Sequence, residues 1–142
     1  MRGAPRIFTA DGKYLAGLVN NSLRFMSPAT GQWACGIELP SDIGQGQDVA
    51  FGPSGNQVAI RFCKGNDHSI GLVNLSTRKL AGRFDLHDSA ASSIHWTGEE
   101  LLLCGSFLYR LDGAPVWQYN MHHAADWVVR FGDGTEEWVG TP

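Results

Sequence analysis

Ala50-Phe51-Gly52-Pro53-Ser54-Gly55-Asn56-Gln57-Val58-Ala59 carries the phrase that decides the fold: an aromatic residue, a turn containing Gly, then an apolar run. Pro53-Ser54-Gly55 suits a type I or II turn, so the stretch reads as strand, tight turn, strand. The phrase comes round three more times. Upstream it stands as Ile7-Phe8-Thr9-Ala10-Asp11-Gly12-Lys13-Tyr14-Leu15-Ala16. Downstream it returns as His95-Trp96-Thr97-Gly98-Glu99-Glu100-Leu101-Leu102-Leu103 and as Arg130-Phe131-Gly132-Asp133-Gly134-Thr135-Glu136-Glu137-Trp138-Val139. Asp11-Gly12 and Asp133-Gly134 tolerate the positive φ of hairpin turns.

A third strand is expected in three of the repeats, over 22–26, 69–73 and 107–111, and a fourth over 32–39, 79–84 and 116–119. Four short strands in a period of about 40–45 residues are the signature of a β-propeller blade. The fold class is therefore all-β, with blades of four antiparallel strands, about three complete and part of a fourth. The blades fall at approximately 4–39, 47–85 and 90–120, with the start of a fourth at 126–140, in one partial propeller over 1–142. A β-sandwich also has frequent turns, but it does not require one phrase to recur four times. About 3.5 blades cannot close into a ring, and an open row leaves its end sheets uncovered. The expectation is a piece of a longer propeller, with further blades or a second copy of the chain completing it.

Composition agrees with this and removes other classes. Gly numbers 18 and Pro 6 in 142 residues, below the share that signals disorder. No apolar run reaches the roughly 18 residues of a membrane-spanning helix, and the N-terminal residues lead into no signal-peptide core, so the cytoplasm is the expected location. Eleven Lys and Arg against fourteen Asp and Glu leave a net charge of −3 and no basic cluster, which disfavours nucleic acid as a partner. Cys35, Cys63 and Cys104 form no CxxC pair and read as small buried hydrophobes.

The repeats resemble those of the WD40 family. His87-Asp88-Ser89-Ala90-Ala91-Ser92-Ser93-Ile94-His95-Trp96 places a His nine residues before the aromatic of an innermost strand, and His122 stands so before Phe131. Asn21-Ser22-Leu23-Arg24-Phe25-Met26 with Thr30-Gly31 is similar to the family's third strand and the turn after it. The namesake Trp-Asp pair is replaced by Phe25-Met26, Val73-Asn74 and Leu111-Asp112, and Asp42 stands where the second His would be. The resemblance implies structural roles for His87 and His122, hydrogen-bonded within the loop that enters each blade. It also implies a non-catalytic protein-interaction scaffold that takes a protein partner, with neither nucleic acid nor membrane.

The family's binding rim would hold the loops from second to third strand and from fourth strand to the next blade. Here these are Asn20-Asn21, Lys64-Gly65-Asn66-Asp67-His68, 41–47, His87-Asp88-Ser89 and 120–126. Lys64, Asn66, Asp67 and His68 belong to the most polar of these loops and are the candidate binding residues. No G-x-S-x-G, H-E-x-x-H or P-loop is present, so no catalytic residue, metal ligand or cofactor is expected. His95 precedes Trp96 on an inner strand, where it is expected to face the central channel. Glu99-Glu100 and Glu136-Glu137 read as solvated turn residues. The stretch 105–117 is also similar to the repeats of quinone-dependent dehydrogenase propellers, which implies the alternative of a quinone- or metal-dependent propeller enzyme fragment.

Overall fold

A computed structural model describes residues 6–9, 12–87, 93–118, 125–130 and 136–140. Three four-stranded antiparallel sheets follow one another along the chain, each a simple meander in sequence order. The first contains β1 (Arg6–Phe8), β2 (Leu15–Val19), β3 (Ser22–Met26) and β4 (Trp33–Glu38). The second contains β5 (Gln45–Phe51), β6 (Gln57–Lys64), β7 (Asp67–Asn74) and β8 (Lys79–Asp85). The third contains β9 (Ile94–Trp96), β10 (Leu101–Cys104), β11 (Phe107–Arg110) and β12 (Pro115–Gln118). A two-stranded hairpin, β13 (Ala125–Arg130) with β14 (Glu136–Gly140), begins a fourth. These are β-propeller blades, three complete and one in part.

Turn chemistry sets the meander. Second and third strands join through two-residue hairpins: Asn20-Asn21, Gly65-Asn66 and Gly105-Ser106. Asn20 and Asn21 have φ of 47° and 66°, and Gly65 and Gly105 have φ of 62°. Such left-handed residues give the turn the twist its strands already have. These hairpins share one rim with the connections between blades, because each sheet runs up and down without a crossover. The opposite rim holds the turns that join first to second and third to fourth strands.

The second sheet is apolar on both faces. Val58 and Ala59 are adjacent on β6, point in opposite directions, and are both 0% exposed. Val49, Val58, Ile60 and Val73 pack with Leu18, Leu23, Phe25 and Ile37 of the first blade. Ala50, Ala59, Ile70 and Leu72 pack with Ile94, Trp96, Leu102 and Tyr109 of the third. Burying each large aliphatic side chain contributes about 1.5–3 kcal/mol, so these two seams dominate the fold's stability.

One extra residue on β8 lets that strand serve both seams. Val73 pairs with Leu80 and Leu72 with Gly82, so Ala81 is a bulge. In a regular strand Leu80 and Phe84 would share a face. The bulge inverts the alternation, and Leu80 joins the first seam while Phe84 joins the second.

Polar contacts fix the second seam. The Trp96 indole N–H donates to the buried Ala50 carbonyl at 2.8 Å, and the Ile94 N–H donates to the Asp48 carboxylate at 3.0 Å. A bulge at Gln47 turns Asp48 toward the third blade, since Gly46 pairs with Phe62 and Asp48 with Arg61. Gly113, at φ 92°, brings the turn between β11 and β12 onto Phe84, where a Cβ would lie 2.5 Å from the Phe84 Cβ. We predict that Trp96→Phe, which keeps most of the apolar area but strands the Ala50 carbonyl, lowers unfolding free energy by about 1–3 kcal/mol in urea titration. An unchanged midpoint and slope would show that this bond does not hold the seam.

Candidate functional site

The segment read as a polar loop is a hairpin end. Lys64 pairs with Asp67 and Cys63 with His68, which leaves Gly65-Asn66 as the two-residue turn. Lys64, Asn66 and Asp67 are exposed and His68 is half-buried. The Lys64 ammonium reaches across the rim and donates to the Asp42 carbonyl at 3.1 Å. The Arg61 guanidinium lies 3.3 Å from His68 Nδ1, and the Cys63 thiol donates to the Gly65 carbonyl at 3.2 Å.

Lys64, Asn66, Asp67 and His68 line one cavity of about 400 Å³, which also reaches Asp42, Arg83, Asp85 and His87. The cavity therefore draws on the hairpin, the connection from the first blade, the outermost strand and the exit toward the third blade. The Leu86 N–H donates to the His68 carbonyl at 2.9 Å, which draws that exit back against the hairpin. Arg83 stands 3.6 Å from the Asp42 carboxylate, with both side chains largely exposed. The carboxylates of Asp67 and Asp85, by contrast, have no ion pair or hydrogen bond among the described residues.

His87 lies against the aromatic residues of the third blade. Its backbone N–H donates to the Tyr109 hydroxyl at 2.9 Å. Its ring lies nearly parallel to that of Tyr109, with centroids 6.0 Å apart and an interplanar angle of 8°. Phe107 flanks it at 5.8 Å. His87 thus ties the entry of the third blade to that blade's own aromatic residues. His122 lies outside the described residues. His95 shares a 3.2 Å hydrogen bond with Ser93 on the innermost strand of the third blade. Glu99 and Glu100 are not brought to this rim, and lie in the turn between β9 and β10. Cys104 is buried and Cys63 partly so. Among the described residues no three His, Cys, Asp or Glu converge as metal ligands.

Reading the sequence did not single out Arg83 or Asp85. A signal was present: on β8 the residues Lys79, Ala81, Arg83 and Asp85 are exposed, and three of these four are charged.

No family model matches the chain, and no curated protein matches it in sequence. Solved structures do. Hydrazine synthase of Kuenenia stuttgartiensis is similar with a TM-score of 0.70 and 13% identity, over 93% of this chain and 40% of that chain. This chain thus spans less than half the length of that neighbour, and at such identity the likeness is one of fold. No helix among the described residues is long and apolar enough to cross a membrane.

The rim contacts decide what can be altered without unfolding the blade. Exposed ion pairs contribute little, because water screens the charges and ordering two long side chains costs entropy. Arg83→Ala should change unfolding free energy by less than about 0.5 kcal/mol in urea titration. A larger loss would make the Arg83–Asp42 pair part of the scaffold.

Proposed function

We propose that the chain is a non-catalytic protein-interaction scaffold built from WD40-like propeller repeats, part of a larger or assembled propeller, and that it acts in the cytoplasm. The observation that carries this reading is the convergence of Lys64, Asn66, Asp67 and His68 with Asp85 and His87 on one cavity at the hairpin rim. A loop tip mounted on a sheet packed from both sides keeps its position while its sequence remains free to vary. Asp67 and Asp85 offer two carboxylates to the Lys or Arg side chains of a partner. The Lys64 and Arg83 cations already lie against Asp42 and compete less for them.

The WD40 likeness rests on the repeated phrase, on the Thr30-Gly31 turn and on His87 at the entry to the third blade. The alternative, a fragment of a quinone- or metal-dependent propeller enzyme, takes its support from a fold shared with a chain whose name is that of an enzyme. Absorbance spectra and elemental analysis of the purified protein separate the two, since the enzyme reading requires a bound chromophore or ion.

The scaffold reading is tested by affinity capture with quantitative mass spectrometry on wild type and an Asp67→Ala, Asp85→Ala double variant. Recovery of a specific partner should fall about tenfold or more, with the melting temperature unchanged, because truncating charges at a contact weakens binding without touching the seams. Unchanged recovery, or a loss that tracks a lowered melting temperature, contradicts the assignment.

A further inference from the structure

At the rim opposite the hairpins, the seam between the first and second blades opens into a cavity of about 640 Å³. Phe25, Ile37 and Leu75 supply apolar wall, and Tyr14, 39% exposed, stands at the edge. Ligand sites of this size are usually apolar clefts with a few polar groups that fix orientation. Among the described lining residues Arg78 alone is charged. Its guanidinium makes no ion pair or hydrogen bond with the described residues.

The backbone at Arg78 is a second, separate observation. Each complete blade has one left-handed residue in the turn between its third and fourth strands: Gly31 at φ 68°, Arg78 at φ 58° and Gly113 at φ 92°. Two blades use glycine there, which has no Cβ to clash. The second blade uses arginine in a conformation that favours glycine. Thr77-Arg78 stands where the first blade has Thr30-Gly31. The turn itself is well supported without that side chain, because the Asn74 carboxamide oxygen accepts the Ser76 and Thr77 N–H groups at 2.9 and 3.1 Å. Folding alone therefore gives no reason for arginine over glycine. A cation beside a cleft whose wall is part apolar and part polar does.

We propose that this seam binds an organic carboxylate with an aromatic body, its carboxylate on Arg78 and its ring against Tyr14, Pro53 and Leu75. A planar guanidinium matches a carboxylate in two parallel hydrogen bonds, and the Tyr14 ring offers a stacking face at the mouth. The site lies on the rim away from Lys64 and Asp67 and does not depend on the scaffold reading.

The test is a calorimetric titration of the full chain with 2-naphthoate and with its uncharged analogue 2-naphthamide. Naphthoate should bind about tenfold more tightly than the amide, the preference given by one charge-assisted contact. Arg78→Gly suits the left-handed backbone, should melt no lower than wild type, and should abolish the preference. Arg78→Lys, which keeps the charge, should retain part of it. Equal binding of acid and amide, a preference that survives Arg78→Gly, or no binding of either compound would overturn the proposal.

Discussion

A sheet with two apolar faces cannot stand alone in water, and that constraint organises this molecule. On β6 the neighbours Val58 and Ala59 point to opposite sides and both are removed from solvent. A one-sided antiparallel sheet would alternate buried with exposed positions. Here Val58, Ala59 and Ile60 are buried in succession, so a sheet must lie on each side. The first and third blades are those sheets, and the rest of the architecture is the bookkeeping of their alignment.

Two bulges reconcile the period-2 alternation of strands with that double demand. At Ala81 the bulge gives Leu80 to one seam and Phe84 to the other. At Gln47 it aims the Asp48 carboxylate at the Ile94 N–H. The Trp96 indole then closes on the Ala50 carbonyl, so the third blade is located by hydrogen bonds as well as by packing. Directional bonds specify the relative placement of two sheets, while burial supplies most of the free energy. Rims mounted on such sheets hold polar groups in fixed positions. Lys64, Asp67 and His68 at one rim and Arg78 at the other are therefore positioned by the seams between the sheets.

Much of this was legible in the sequence. The recurring aromatic and Gly-containing turn marked the strand pairs, and Gly12 was expected at a positive φ, which it has at 72°. What escaped was long-range. Asp48 looks like any polar residue until the chain returns at Ile94, 46 positions later. Nothing local to Trp96 reveals that its N–H meets Ala50. A bulge such as Ala81 adds one residue to a strand, too small a change to detect in a pattern of period two. Lys64 and Asp67 read as loop because charged residues beside Gly65 suggest a turn, yet both belong to paired strands. Arg78 became conspicuous only when its backbone was set beside Gly31 and Gly113.

The central claim is that the second sheet is covered on both faces, and paired polar substitutions on β6 test it most directly. Val58→Thr and Ala59→Ser change little in volume but bury a hydroxyl on opposite faces of the same strand. If both faces are sealed, urea titration should show each variant losing about 1–3 kcal/mol of unfolding free energy. If either variant stays within about 0.5 kcal/mol of wild type, as a surface position would, that face is open and the stacked-blade account is wrong.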